Sequence, residues 1–383
     1  MRELLTGNEA IAHAVRLSRV QLIAAYPITP QTPIYEKLSQ WESEGKLGGV
    51  MVRVESEHTA MATCISASLT GVRVFTASSS QGIALMHEML HFASGGRVPV
   101  VMACVNRALA LPWAFGSDQI DTLSQRDTGW IQFYCEDNQE ALDTVIQAFK
   151  VSERVYLPSM VIIDGFYTSH FMEVVDVPDQ KEVDDFLPPP QMPNRFDFDD
   201  PAFLCNVVGP KDYFRFRKRT HCDLRSSLKV IKEVDSDFGE CFGRRYGVVE
   251  GIEIGDAEVV LVTSGALTGT ARVVLQRLRE KGYKVGLLKI KVFRPFPREE
   301  VCKLLEGKRK IGVIDRNVSP GQEGVFCQEI KAALYPLSTR PLLQGYIAGL
   351  GGLEVYPEEI EEIFLDLLKR SSFEEEPIWK INL

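Results

Sequence analysis

Short apolar runs alternate along the chain with longer stretches in which apolar residues recur every three or four positions. The first pattern predicts buried strands and the second amphipathic helices. Thr6 followed by Glu9 has capping-box spacing and predicts a helix to about residue 20. The run 21–25 then predicts a short strand, stopped by Tyr26-Pro27-Ile28-Thr29-Pro30, where two prolines remove backbone donors. Pro33 suits the first turn of a helix reaching about residue 45. Strand 50–54, helix 57–69, strand 72–76 and helix 82–92 follow in the same rhythm. Strands over 98–105, 131–135 and 160–164, with a helix over 140–152, complete this half.

Between 178 and 255 the alternation breaks down. Pro188-Pro189-Pro190, Pro193 and the stretch from Arg195 through Phe198 to Asp200 read as an extended connector. One helix is predicted over 224–242. The basic run Arg215, Arg217, Lys218 and Arg219 falls in the connector and reads as a solvated face or a subunit contact. From Glu258 the rhythm resumes, with strands 259–263, 285–290, 311–315 and 343–347 and helices 267–281, 324–334 and 358–368. The expected fold class is α/β, with two doubly wound, mostly parallel-sheet domains. They occupy 1–180 and 255–383, joined by the connector 181–254.

Composition narrows the partners. Among 383 residues, 43 Lys+Arg stand against 52 Asp+Glu, a net charge of −9. A nucleic-acid backbone is therefore not the expected partner, because phosphate binding needs a local excess of Lys and Arg. None of the eight cysteines (64, 104, 135, 205, 222, 241, 302 and 327) forms a CxxC pair, so no metal or iron–sulfur framework is expected on this chain. Free, mostly buried cysteines fit a reduced, cytoplasmic protein. No apolar stretch reaches 18 residues and no signal-peptide h-region precedes the first helix, so a soluble chain without a membrane partner is expected.

Several residues are placed for chemistry. Glu57 opens a helix directly after a strand; it either caps that helix or presents a carboxylate to a ligand. Arg107 follows an apolar strand, where its fork either grips a carboxylate ligand or pairs with Asp118 or Asp121. Thr29 is held between prolines, with its hydroxyl used for a loop hydrogen bond or for a ligand. Ser264-Gly265-Ala266-Leu267-Thr268-Gly269 is a small-residue strand-to-helix turn, better read as structural than as a phosphate cradle, since neither GxGxxG nor a P-loop lysine is present. His87 and His91 share a helical face at i, i+4, but without a third ligand or HExxH they read as a packed pair. No GxSxG elbow supports hydrolysis.

Nine motifs come in a recognisable order. They are Tyr26-Pro27-Ile28-Thr29-Pro30, Val54-Glu55-Ser56-Glu57, Phe75 through Gly82, Asn106-Arg107-Ala108-Leu109 and Gln125 through Trp130. Then follow Phe293 through Pro297, Asp315-Arg316-Asn317, Gly321 through Gly324 and Ala348 through Gly352. Together they resemble the alpha subunits of the multi-subunit 2-oxoacid:ferredoxin oxidoreductases, the pyruvate enzyme (pyruvate synthase) in particular. The resemblance runs nearly end to end and is loose only over about 189–219.

That resemblance implies a thiamine-diphosphate enzyme that decarboxylates a 2-oxoacid oxidatively with coenzyme A, reduces ferredoxin and forms acyl-CoA, reversibly. It makes the first domain a pyrimidine-binding domain and the second similar to the transketolase C-terminal domain. Matched position by position, Glu57 contacts the aminopyrimidine ring, and Thr29 and Arg107 hold the 2-oxoacid. Pyruvate is the expected substrate and a branched-chain 2-oxoacid the alternative. A non-catalytic scaffold subunit is the competing class, opposed by intact Glu57, Thr29 and Arg107.

What is missing assigns partners. The Gly-Asp-Gly…Asn element that holds diphosphate and Mg²⁺ is absent, the nearest strings being Asp164-Gly165 and Gly255-Asp256. The resemblance places that site and [4Fe-4S] clusters on partners: a beta subunit with the diphosphate site and a cluster, a gamma subunit linked to coenzyme A, and a ferredoxin-like delta subunit. One segment departs from the family pattern: Gly116-Ser117-Asp118-Gln119-Ile120-Asp121 lacks the Gly-Asp-His of many relatives, so no role of that histidine transfers.

Overall fold

The computed structural model describes residues 1–381 other than 193–194, 198 and 200–205. Pro193, Phe198, Asp200 and Cys205 lie outside the described residues. In chain order the first part runs β1 (Arg2–Thr6), α1 (Gly7–Leu17), β2 (Leu22–Ala25), α2 (Thr32–Ser43), β3 (Val50–Arg53), α3 (Glu57–Ser68), β4 (Val74–Ser78), α4 (Ser80–Leu85), α5 (His87–Gly95) and β5 (Val101–Asn106). It continues with α6 (Ile120–Leu123), β6 (Ile131–Tyr134), α7 (Asn138–Val155), β7 (Ser159–Asp164), β8 (Met172–Asp176), α8 (Gln180–Phe186) and α9 (Pro210–Phe242). The rest comprises β9 (Val249–Ile252), β10 (Val259–Thr263), α10 (Leu267–Glu280), β11 (Val285–Ile290), β12 (Val292–Arg294), α11 (Arg298–Leu305), β13 (Lys310–Asp315), α12 (Val325–Leu334), β14 (Leu342–Ala348), α13 (Pro357–Lys369) and β15 (Ile378–Lys380).

The described residues form three sheets. The larger one has seven strands in the order β12-β6-β7-β5-β4-β2-β3, parallel throughout except where β12 runs against β6. A six-stranded sheet, β15-β14-β13-β10-β11-β9, is parallel except for β9. β1 and β8 form an antiparallel pair beside them.

Alternation along the strands builds the cores. In β5, Val101, Ala103 and Val105 pack toward α1, α2 and α7, while Met102 and Cys104 pack toward α3 and α5. The second of these cores is continuous with one face of the six-stranded sheet, through Val260, Val262, Leu288 and Ile290. α10 and α13 cover the opposite face against Val259, Leu261, Val285 and Leu287.

Sequence and structure differ in places that have physical causes. The expected capping box is present: Thr6 Oγ1 accepts from Glu9 N at 3.2 Å and Glu9 Oε2 from Thr6 N at 3.1 Å. The expected helix 82–92 is two helices, broken at Met86. α9 starts at Pro210 rather than 224, so the basic run lies on a helix, with residues 206–219 exposed throughout. Proline at its first turn is the start signal. β12 lies between elements of the six-stranded sheet in sequence yet edges the seven-stranded one. Cys64, Cys104, Cys135 and Cys327 are buried, whereas Cys222 and Cys241 are exposed on α9.

Candidate functional site

In the seven-stranded sheet β2 lies between β3 and β4. The chain leaves β2 toward β3 and then crosses to β4 on the other side. That reversal opens a crevice beyond the strands' C-terminal ends, where ligands of such sheets bind. The loop after β2 carries Thr29, the start of α3 after β3 carries Glu57, and Ser79, Ser80 and Gln81 cap and open α4 directly after β4. The end of β5 carries Arg107. All three residues singled out from the sequence therefore sit on one rim.

Arg107 is the hub. It is 4% exposed, with Nη1 donating to the Thr29 carbonyl oxygen at 2.7 Å and Nη2 to Gln81 Oε1 at 2.5 Å. Its guanidinium lies 5.4 Å from the Phe115 ring, and Nε has no partner among the described residues. Burial lowers its pKa, opposed by Asp121 and Glu57. No ion pair joins the guanidinium to Asp118 or Asp121 among the described residues; instead Asp121 Oδ2 accepts from the Arg107 backbone N–H at 3.1 Å. The ion-pair alternative for this side chain is thereby corrected. Thr29 is exposed, and its carbonyl rather than its hydroxyl meets Arg107.

Glu57 occupies the first turn of α3, but Ser56 is the cap, its Oγ accepting from Thr59 N at 3.2 Å. The capping alternative for Glu57 is corrected on that ground. Its side chain is 6% exposed, and no side chain of the described residues donates to it. Burial raises its pKa, opposed by its own backbone amide and by Arg107. Gly82 faces Glu57 Oε1 and Ser78 Oγ so closely that no Cβ fits there.

Four buried polar atoms on this rim have no partner among the described residues: Ser78 Oγ, which shares the close approach to Gly82 with Glu57, and Ser79 Oγ, Gln81 Nε2 and Arg107 Nε. A buried, unpaired acid beside unsatisfied donors and hydroxyls fits the polar edge of an aromatic heterocycle such as the aminopyrimidine ring. The sequence gives Gln81 no role, and Asp121 only that of an alternative ion-pair partner for Arg107. The Ser-Ser-Ser-Gln-Gly string at the end of an apolar strand was the signal available for Gln81.

The other candidates resolve differently. His87 Nδ1 faces Gln125 Oε1 at 2.5 Å, and the His87 and His91 rings pack edge to face with centroids 5.0 Å apart. Among the described residues no group of three His, Cys, Asp or Glu is placed to hold a metal ion. The turn Ser264–Gly269 has its anion supplied internally: Asp164 Oδ2, at the end of β7, accepts from Ala266 N at 2.8 Å. Asp164 Oδ1 also pairs with Arg316 Nη1 at 3.1 Å, tying the two large sheets together.

A doubly wound sheet with this crevice, followed by a second α/β sheet, defines the class: an α/β protein of two mostly parallel sheets. Residues 13–236 match the thiamine-diphosphate-binding family of pyruvate flavodoxin/ferredoxin oxidoreductases, and residues 257–360 match pyruvate:ferredoxin oxidoreductase core domain II. The chain belongs to the pyruvate:ferredoxin oxidoreductase family.

It is 48% identical over 371 residues to ketoisovalerate oxidoreductase subunit VorA of Pyrococcus abyssi, covering 96% of this chain and 94% of that one. It is 44% identical over 363 residues to pyruvate synthase subunit PorA of Methanothermobacter thermautotrophicus, covering 94% of each. Its fold resembles 2-oxoglutarate:ferredoxin oxidoreductase from Magnetococcus marinus, with a TM-score of 0.75 at 21% identity. That match covers 96% of this chain and 65% of the other. Among the described residues no helix is long and apolar enough to cross a membrane.

Proposed function

We propose that this chain is the alpha subunit of a thiamine-diphosphate-dependent 2-oxoacid:ferredoxin oxidoreductase acting on pyruvate. The reaction is pyruvate, coenzyme A and two oxidised ferredoxins giving acetyl-CoA, CO2, two reduced ferredoxins and a proton, reversibly. The observation that carries this reading is the buried Arg107 fork, set against Thr29 and Gln81 beside the unpaired Glu57. In this reading 1–180 is the pyrimidine-binding unit, 181–254 the connector and 255–383 the second unit.

Glu57 would hold the aminopyrimidine end of the cofactor. Its raised pKa suits a carboxyl that shares a proton with a ring nitrogen, keeping that nitrogen protonated. When bound, thiamine diphosphate supplies the nucleophilic carbon and the electron sink for decarboxylation. Arg107 would neutralise the 2-oxoacid carboxylate with a fork already desolvated, and Thr29 would donate its hydroxyl to a substrate oxygen. Diphosphate, Mg²⁺ and the [4Fe-4S] clusters are assigned to beta, gamma and delta partners in a cytoplasmic complex. The absence of a Gly-Asp-Gly element supports that division.

A branched-chain 2-oxoacid is the second reading. The ketoisovalerate subunits of three Pyrococcus species are 47–48% identical to this chain, against 42–44% for the pyruvate synthase subunits. Viologen reduction by the purified complex, with thiamine diphosphate, coenzyme A and a panel of 2-oxoacids, is the test. Highest kcat/KM for pyruvate supports the first reading and for 2-oxoisovalerate the second. No reduction with any 2-oxoacid overturns both.

A further inference from the structure

Asp121 is fully buried on α6, between β5 and β6, and each of its carboxylate oxygens accepts from two N–H donors. Oδ2 accepts from Ser80 N at 2.9 Å and Arg107 N at 3.1 Å. Oδ1 accepts from Asn106 Nδ2 at 2.5 Å and Thr122 N at 2.8 Å. One oxygen thus pins the backbone after β4 to the backbone at the end of β5.

The pinned residues bear on the crevice. Arg107 carries the fork, and Gln81, next to Ser80, supplies the Oε1 that its Nη2 meets. Ser80 is held at φ 46°, a left-handed conformation that a non-glycine residue keeps only under constraint. Its hydroxyl adds contacts to Ala108 O at 2.6 Å and Gln81 Oε1 at 2.7 Å.

We infer that Asp121 is the positioning residue that sets the Arg107 fork for the substrate carboxylate, by clamping the loop after β4 to the end of β5. This rests on the reading that Arg107 holds the 2-oxoacid. Asparagine weakens the clamp: with its oxygen toward the Ser80 and Arg107 amides, its NH2 is set against Asn106 Nδ2 and Thr122 N, and turned over, its NH2 is set against the two clamped amides themselves. Retaining a carboxylate here works against burial, which pushes its pKa up to about 7. Packing alone gives no reason for a charge there.

A double-mutant cycle in the assembled oxidoreductase tests the proposal. Asp121→Asn, Arg107→Lys and the double variant are compared for 2-oxoacid KM and kcat, thiamine-diphosphate affinity and melting. The expected result is a tenfold or greater rise in 2-oxoacid KM for Asp121→Asn, with thiamine affinity within twofold of the parent. The double variant should be no worse than Arg107→Lys alone.

Additive losses, or loss of thiamine affinity in step with KM, would make Asp121 a structural residue and overturn the proposal. Asp121→Ser, smaller and still an acceptor, is the second variant if the asparagine form does not assemble. Failure of both to assemble also overturns it. An unchanged KM for Arg107→Lys removes the reading of Arg107 itself. An Asp121 effect that persisted there could not run through Arg107, and the proposal would fall on separate data.

Discussion

The guanidinium of Arg107 donates from Nη1 to the carbonyl oxygen of Thr29 across 2.7 Å, joining the end of β5 to the proline-framed loop after β2. The contact fixes the fork by a backbone atom, leaving the Thr29 hydroxyl available to a ligand.

Arg107→Lys keeps the charge and loses the fork. One charge-assisted pair is worth a few kcal/mol, so kcat/KM for the 2-oxoacid should fall on the order of a hundredfold. Losing the bonds to Thr29 and Gln81 should cost roughly 1 kcal/mol of stability, a melting shift of a few degrees at most. Steady-state kinetics and melting on the same preparation check both numbers. A large melting loss with unchanged kcat/KM would assign Arg107 to the scaffold.

The Asp121 carboxyl gives a pH dependence whose sign follows from burial. Its pKa is pushed from 3.8 to about 7 in the folded chain, so folding takes up a proton between those values. The contribution to stability is present below about pH 4 and is lost as pH rises toward 7. The clamp needs the ionised form, so 2-oxoacid KM should fall as pH rises through about 7. The groups facing Asp121 are the Arg107 cation and Asp118, with Cys104 on β5 and Tyr134 on β6 titrating far above this range. Asp121→Asn should flatten both profiles. A parent-like KM profile in that variant would place the titration elsewhere.

Asp164 is a structural joint. Asp164→Ala would strip Arg316 of its carboxylate partner and leave the Ala266 amide unpaired, with Arg316 only 4% exposed. Removing one partner of a buried ion pair costs about 3–5 kcal/mol. Chemical denaturation should show that loss, with 2-oxoacid KM in the surviving folded complex unchanged. A loss under 1 kcal/mol would mean the contact between the sheets does not depend on Asp164.

Much of this architecture was legible in the residues because local signals agreed with the fold. Thr6 and Glu9 announce α1, and unbroken apolar runs announce the parallel strands that both faces bury. Short edge elements were not legible. β12 is three residues long and earns its place by pairing with β6, a contact no periodicity encodes. The sequence predicts only 224–242 of α9, because the aromatic and basic residues at 211–219 are exposed and show no core-facing pattern.

At the site, position along the strands placed Glu57, Thr29 and Arg107 on one rim, since parallel strands end together. Their partners were beyond reach. Whether Arg107 meets the side chain or the backbone of its neighbours depends on how the loops after β2 and β4 fold. Only the structure brings Gln81 to its fork and turns Asp121 toward its amide.

The central claim is that Glu57 holds the cofactor's aminopyrimidine and keeps a ring nitrogen protonated. Hydrogen–deuterium exchange at the thiazolium C2 of thiamine diphosphate, in the complex assembled with Glu57→Gln, tests it most directly. The amide is nearly isosteric but cannot share that proton. Exchange should therefore slow by on the order of a hundredfold or more while the complex stays assembled. Exchange at the parent's rate would contradict the account and leave Glu57 as a buried acid in the first turn of α3.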